Sequence, residues 1–288
     1  LYANMASSAS TIAIDGNSNT ALGAVNNASN ALSVSGLTVD GTNAVARVDA
    51  GANTTSATFA LNSNQSASGT LASTALTQAY NLDRTDTETT ATVGLQNGEA
   101  SVSNNKTTAE GSANRAANSL SVAATNSTAT AAIGNEQTSE TGVTATASSS
   151  NYRIKLAAGT DTDYAASGSS IALDDNTTTA LARGNSATNT LSFAVDVATA
   201  GYTGIGEADD DGIATAGAII GNNQSNTGNV AATASSASYS EELVQGTTGS
   251  LLNSQASIDG NTTSAGAFGN SGTNSLTVSA TNGTTTAA

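Results

Sequence analysis

The 288-residue sequence contains no cysteine, proline, histidine or tryptophan. Without cysteine the chain can form no disulfide, no thiolate metal site and no thiol nucleophile. Without histidine it also lacks the most frequent general base and the usual partner of a serine nucleophile. The absence of proline suits stacked strands, because a proline inside such a strand removes a hydrogen-bond donor. We therefore expect a protein that is not an enzyme.

Large side chains are also scarce, since aromatic residues make up 3% and charged residues 10% of the chain. An ordinary globular domain has roughly 25% charged residues. Burying one leucine or valine contributes only about 1.5–3 kcal/mol, so these few cannot fill a thick core. Either the chain is disordered, or it forms a thin fold held by backbone hydrogen bonds and stacked side chains. Apolar residues recur in register, which favours the thin fold.

The net charge is −15, from 22 acidic and 7 basic residues. This balance argues against binding nucleic acid, whose phosphates require clustered lysine and arginine, and against anionic lipid surfaces. The chain contains no run of about 18 apolar residues, so no membrane span is predicted. A long cysteine-free chain rich in serine, threonine and asparagine is typical of secreted or cell-surface proteins. No signal peptide is recognisable at Leu1, where the pattern is already under way, so we expect a processed or trimmed chain.

Long internal repeats organise the sequence. Residues 95–132 align without gaps on residues 251–288, with 19 of 38 positions identical at an offset of 156. Residues 12–33 match residues 171–192 at an offset of 159, with 12 of 22 identical. We interpret residues 1–160 as a first repeat unit and residues 161–288 as a second, truncated unit of the same solenoid.

A shorter asparagine motif lies inside these units. The pattern NxxxAxxxxNxxxNxLx[VF] occurs four times. Its asparagines are Asn17, Asn26, Asn30, Asn105, Asn114, Asn118, Asn176, Asn185, Asn189, Asn261, Asn270 and Asn274. Asn105 and Asn126 are 21 residues apart, as are Asn261 and Asn282. This spacing predicts a coil of about 21 residues, and 288 residues would then make about 14 coils in a stack roughly 65 Å tall.

Local patterns predict strands and turns. Leu32-Ser33-Val34 alternates with period two, and Ile14-Asp15-Gly16-Asn17 has the chemistry of a turn. No stretch has sustained helical periodicity. The fold class predicted is therefore all-β, a β-solenoid with little or no helix and with glycine and asparagine at positive-φ corners. Stacked asparagine amides would donate to one neighbour and accept from the other, forming ladders.

Short asparagine and glutamine motifs resemble those of known fibre proteins. Residues 222–226 have the form NxQxN, with related segments around Gln137 and Gln65. These segments are similar to the repeats of curlin and of Fap-type functional amyloid subunits. That resemblance implies strand–turn–strand rungs in secreted subunits that polymerise end to end. A weaker resemblance, at Ala132-Ile133-Gly134-Asn135, is to the heads of trimeric autotransporter adhesins.

Acidic residues offer one candidate metal site. Glu207, Asp209, Asp210 and Asp211 precede a glycine, and clustered carboxylates suit Ca²⁺, which takes six to eight oxygen ligands. The alternative is a solvated acidic loop. We assign Asp15, Asp174 and Asp259, each just before a motif asparagine, to turn capping. Arg153 and Lys155, on alternate strand positions, are interpreted as guards of a sheet edge or as a subunit contact.

Together these patterns predict an extracellular structural subunit of a surface filament or biofilm-matrix fibre. Open sheet edges would be covered by further copies of the chain, giving a homopolymer. The alternative is a solenoid adhesin that displays loops such as residues 202–212 to a receptor or a glycan. An enzyme on a β-helix, such as a polysaccharide lyase, would need clustered acidic and basic residues on one sheet face, and none is evident.

Overall fold

The structure is a computed structural model that describes residues 2–3, 7–8, 11–36, 44–47, 54–77, 79–85, 93–149, 151–157, 164–198, 218–236, 238–244 and 251–280. Within these residues the regular structure is entirely β-strand, in 24 strands. The predicted all-β class is confirmed. Small β-compatible side chains alternate between two faces, and the turns between strands fall at glycine, asparagine and aspartate.

The strands belong to six stacked parallel sheets and one antiparallel hairpin. The long sheet contains β4 (Ser18–Gly36), β12 (Lys106–Ala129), β18 (Thr177–Ala198) and β24 (Thr262–Ala280). The corner sheet contains β3 (Thr11–Asp15), β11 (Glu99–Ser103), β17 (Ser170–Asp174) and β23 (Gln255–Asp259). The tyrosine sheet contains β1 (Tyr2–Ala3), β9 (Tyr80–Thr85), β15 (Tyr152–Ala157) and β21 (Tyr239–Val244).

Three further sheets complete each turn of the chain. The connecting sheet contains β2 (Ser7–Ser8), β10 (Val93–Gln96), β16 (Tyr164–Ser167) and β22 (Leu251–Leu252). The first return sheet contains β7 (Phe59–Ala67), β13 (Ala131–Ser139) and β19 (Ala218–Asn226). The second return sheet contains β8 (Thr70–Thr77), β14 (Gly142–Ser149) and β20 (Val230–Ser236). Strands β5 (Ala44–Arg47) and β6 (Thr54–Ala57) form the antiparallel hairpin.

One turn of the chain, here called a rung, passes once through these sheets. The rungs comprise β1–β8, β9–β14, β15–β20 and β21–β24, and successive rungs pair in parallel. Equivalent asparagines of the long sheet are 88, 71 and 85 residues apart. The predicted β-solenoid is confirmed, but the predicted coil of about 21 residues is wrong. The offsets of 156 and 159 residues in the sequence each span two rungs.

Because each rung is much longer than the predicted coil, the shape of the solenoid also differs from the prediction. A long strand of 19 to 24 residues extends about 60–80 Å. Four rungs place their outermost strands only about 14 Å apart along the stacking direction. The molecule is therefore a wide, short stack, and the predicted rod of about 14 coils is wrong.

The core is thin and divided into three clusters. Near its end, the long sheet packs on the first return sheet through residues that include Leu120, Leu191 and Phe193. Near its start, it packs on the second return sheet almost entirely through alanine, with Val143 among the few larger side chains. The tyrosine, connecting and corner sheets enclose the third cluster. Buried amides lie between the first two clusters, and they are the main polar feature of the interior.

Candidate functional site

Three columns of asparagine run through the rungs of the long sheet and its corner. The corner column joins Asn17, Asn105, Asn176 and Asn261 by Nδ2–Oδ1 distances of 2.8, 2.9 and 2.9 Å. Each Oδ1 also accepts from the backbone N–H of the preceding asparagine, at 3.2, 3.2 and 3.0 Å. The corner is therefore fixed by stacked amides at every step between rungs.

The two other columns lie within the long strands. One joins Asn26, Asn114, Asn185 and Asn270 at 2.7, 2.8 and 2.8 Å. The other joins Asn30, Asn118, Asn189 and Asn274 at 2.9, 2.8 and 2.9 Å. The predicted asparagine ladders are thereby confirmed for all twelve motif residues. In every step the Nδ2 of the earlier rung donates to the Oδ1 of the later rung.

In the column of Asn26, Asn114, Asn185 and Asn270, the second hydrogen of each amide links the two layers of the fold. Asn114 Nδ2 donates to the carbonyl of Thr138 in the first return sheet, at 2.8 Å. Asn185 makes the same bond to Ser225, also at 2.8 Å. Since a carbonyl can only accept, this second bond fixes which end of the amide is nitrogen. This ladder therefore has a defined direction along the stack.

A glutamine column faces these asparagines from the first return sheet. Gln224 donates to Gln137 and Gln137 donates to Gln65, both at 2.6 Å. Each Nε2 also bonds a backbone carbonyl of the long sheet, for example that of Ser186 at 3.0 Å. These glutamines were singled out only by their resemblance to the repeats of fibre proteins, and no glutamine ladder was predicted. Gln65 and Gln224 are related by the repeat offset of 159 residues and lie outside the asparagine motif. This recurrence is the signal that could have predicted the column.

Three tyrosines form an aromatic column, which was not predicted from the sequence. The rings of Tyr80, Tyr152 and Tyr239 stack with centroid distances of 5.2 and 5.0 Å and interplanar angles of 17° and 12°. Tyr152 is buried, and its hydroxyl lies 3.0 Å from Ser149 Oγ and 3.3 Å from Thr178 Oγ1. Offset stacking of aromatic rings adds about 0.5–1.5 kcal/mol per pair beyond their burial.

The corners between the corner sheet and the long sheet use left-handed backbone at one position in every rung. The residues are Gly16, Asn104, Asp175 and Gly260, with φ between 56° and 66°. Glycine, asparagine and aspartate tolerate this region best. Asp174 Oδ1 accepts from the backbone of Asp259 at 3.0 Å, and Asp259 Oδ1 accepts from that of Gly260 at 2.8 Å. These bonds support the turn-capping assignment for Asp174 and Asp259, and Asp15 accepts from the Asn104 side chain at 3.1 Å.

Charged side chains on the tyrosine sheet join neighbouring rungs. Strand β15 pairs with β9 on one side and β21 on the other, so it is not an edge strand. The interpretation of Arg153 and Lys155 as edge guards is therefore wrong. Arg153 binds Asp83 with Nη2–carboxylate distances of 2.6 and 2.7 Å, and Lys155 Nζ lies 2.9 Å from Glu242. Both basic residues form ion pairs between neighbouring rungs.

Glu241 is an acidic residue in an otherwise apolar column. It is in register with Ile154, which is in register with Leu82, and both of these are fully buried. Partial burial, with a smaller contribution from the carboxylate of Asp174, raises the pKa of Glu241 from 4.5 to about 7. The fourth rung, where Glu241 lies, would bury this carboxyl further if another rung covered it.

The candidate calcium ligands Glu207, Asp209, Asp210 and Asp211 lie outside the described residues, as does the loop of residues 202–212. Among the described residues, no group of three or more acidic side chains has an arrangement suited to a metal ion. The calcium site therefore stays a prediction.

Among the described residues, the first and the last strand of the long sheet each have one edge without a paired strand. In the long sheet, β4 pairs only with β12 and β24 pairs only with β18. Ile258 in β23 is 49% exposed, whereas Leu173, its partner in the preceding rung, is fully buried. Within the part of the chain that the structure describes, the fourth rung thus exposes side chains at positions that are buried in the preceding rung.

Comparison with known proteins found no matching family model, no matching curated protein and no matching solved structure. No helix among the described residues has the length and apolar character needed to cross a membrane. Function must therefore be inferred from the ladders and the edges.

Proposed function

We propose that this chain is an extracellular structural subunit of a surface filament or biofilm-matrix fibre, assembling end to end through its open sheet edges. The observation that carries the proposal is the combination of continuous amide ladders with unpaired parallel strands at both ends. Strands of 19 residues at each edge of the long sheet offer long rows of free N–H and C=O groups, which template pairing with another chain.

The interior chemistry supports a structural role. The asparagine and corner positions repeat in all four rungs, and the tyrosine stack joins the second rung to the fourth, so a further rung would find partners like those that the existing rungs find. Stability in such stacks comes mainly from contacts between neighbouring rungs. The formal charge of −15 keeps a secreted polymer soluble, and the absence of cysteine removes any dependence on disulfide formation.

Electron microscopy of the purified protein over a range of concentrations tests the proposal. We expect filaments whose axis parallels the stacking direction, with a fibre-diffraction repeat of about 4.8 Å along that axis. Ile258→Lys places a charge on the exposed edge of the fourth rung and should block elongation. Leu76→Lys, a matched change at an exposed leucine in β8, should not.

Monomeric particles at all concentrations would contradict the proposal and would favour the adhesin alternative. Filaments without the 4.8 Å repeat along their axis would contradict the end-to-end arrangement.

A further inference from the structure

The donor direction of the amide ladders and the residue types in each column specify how two copies would join. In the three asparagine ladders, every bond between amides runs from the Nδ2 of the earlier rung to the Oδ1 of the later rung. The fourth rung therefore offers amide N–H groups, and the first rung offers the Oδ1 atoms of Asn17, Asn26 and Asn30. Glutamine amides run the opposite way, but among the described residues their column ends at Gln224 in the third rung, so it takes no part in the contact. Each end of the stack is complementary to the other end and not to itself.

Strand direction leads to the same arrangement. All pairing between rungs is parallel, and only a head-to-tail contact between two copies keeps it so. A contact between two identical ends would force antiparallel pairing and would bring donor against donor in the ladders. A head-to-tail contact closes into a ring only when the rotation between copies allows it, and otherwise it continues as an open filament.

Residue size in the corner sheet indicates which rung follows the fourth. One column reads Ile12, Ala100, Ile171 and Ala256 across the rungs, with large and small side chains alternating. Placing Ile12 of a second copy on Ala256 continues this alternation. It also places Ile14 of that copy on Ile258, whose exposed side chain would then be covered as Leu173 is.

We propose that the first rung of one copy stacks on the fourth rung of the next in one register, with Ser18 opposite Thr262, Asn26 opposite Asn270 and Leu32 opposite Leu276. The register follows from the existing pairs, in which Lys106 and Thr177 occupy the same position. The proposal deepens the filament function proposed above and rests on it. Its partner is a second copy of this chain.

The long and corner sheets carry this contact. Each return sheet contains three strands, and β19 and β20 are the last of them in the described chain. They lie against β18 and β24, and among the described residues no return strand follows β24. A contact through the long and corner sheets therefore leaves one strand position in each return sheet beside β24 that no described strand fills.

Cysteine cross-linking tests the register, because the chain has no cysteine of its own. Ser33, Ser121, Ser192 and Thr277 form one column on the outer face of the long sheet. Adjacent strands lie about 4.8 Å apart, inside the range of about 4.4–6.8 Å between Cα atoms that a disulfide spans. The double variant Ser33→Cys/Thr277→Cys should give a ladder of intermolecular disulfide multimers upon oxidation.

Three controls make the result specific. Ser121→Cys/Ser192→Cys should form its disulfide within one chain, which shows that the column geometry permits the bond. Ser33→Cys/Thr273→Cys is four residues out of register, about 13 Å, and should remain uncross-linked. Thr277→Cys alone should not dimerise, since that bond would require two identical ends to meet.

Each outcome has one meaning. Dimers of the Thr277→Cys variant, or multimers only in the out-of-register variant, would overturn the proposed contact while leaving the filament proposal standing. Absence of filaments in electron microscopy together with absence of multimers would overturn both. Multimers of Ser33→Cys/Thr277→Cys within filaments would support the register.

Discussion

Removing one amide from the centre of a ladder should cost several hydrogen bonds at once. Asn114 is fully buried. Its Nδ2 donates to Asn185 and to the carbonyl of Thr138, both at 2.8 Å, and its Oδ1 accepts from Asn26 at 2.7 Å. A hydrogen bond within a protein contributes about 0.5–1.5 kcal/mol net. Asn114→Ala, which loses three such bonds, should therefore destabilise the fold by about 1.5–4.5 kcal/mol.

A matched control separates the ladder from the general effect of the substitution. Asn274 lies in the last rung of its column, is exposed, and accepts one ladder bond from Asn189 at 2.9 Å. Asn274→Ala should therefore cost only about 0.5–1.5 kcal/mol. Urea unfolding monitored by circular dichroism measures both variants against the unsubstituted chain. Equal losses of stability for the two variants would refute the conclusion that stacked amides hold the interior together.

A double-mutant cycle isolates the contact between two rungs. Asn114→Ala, Asn185→Ala and the double variant should show a coupling free energy of about 0.5–3 kcal/mol, the range for residues that touch. Additive losses would mean that each amide acts only through the facing strand, through Thr138 or Ser225, and that bonds between amides contribute nothing.

Three further predictions concern the acid, a corner and the open strand position. The pKa of Glu241 is raised to about 7, so the folded chain holds a proton that the unfolded chain releases above about 4.5; stability should fall as pH rises between these values. Glu241→Gln should flatten that dependence in urea titrations at several pH values, and an unchanged slope would contradict it. Gly168 has φ of 61°, and a Cβ at this position would press on the side chain of Asn97, so Gly168→Ala should lower stability by about 1–2 kcal/mol from the backbone conformation alone. Gly168→Asn should cost less, because Asn97 and Asn253 adopt this conformation at the equivalent corners, and equal losses in thermal unfolding would count against strain as the cause. A peptide with the sequence of residues 131–149 should bind beside β24, where Ala265 and Ala267 are exposed although Ala180 and Ala182 are buried. Fluorescence anisotropy should detect weaker binding of a control peptide carrying Gln137→Glu, and equal binding would argue against pairing in the glutamine column.

Much of the interior could be predicted because the same residue types recur at the same positions of each motif. The two asparagines within each long strand are four residues apart, and an inward residue stays inward after an even step along a strand; the third asparagine of each motif lies nine residues earlier, at the corner that precedes the strand. Columns of like amides follow once such strands stack in register. Corner positions were predictable for a similar reason, because few residues tolerate left-handed backbone.

The same motifs contain two different spacings, and the sequence alone did not decide which of them is the length of a rung. Asn105 and Asn126 are 21 residues apart, but Asn126 lies within β12, the strand that Asn105 directly precedes. Their spacing measures distance along one strand and not the rise from one rung to the next. The spacing of 71 to 88 residues between whole motifs was the correct repeat.

The sequence alone determined that this chain forms strands, that its amides stack, and which residues turn its corners, because these are properties of local conformation and of repeated side chains. Only the tertiary structure decided which strands are neighbours, and with that the rung length, the glutamine and tyrosine columns, and the ion pairs of Arg153 and Lys155. The physical reason is that pairing of distant strands depends on the path of the whole turn, including return strands that carry a different pattern from the strands they cover.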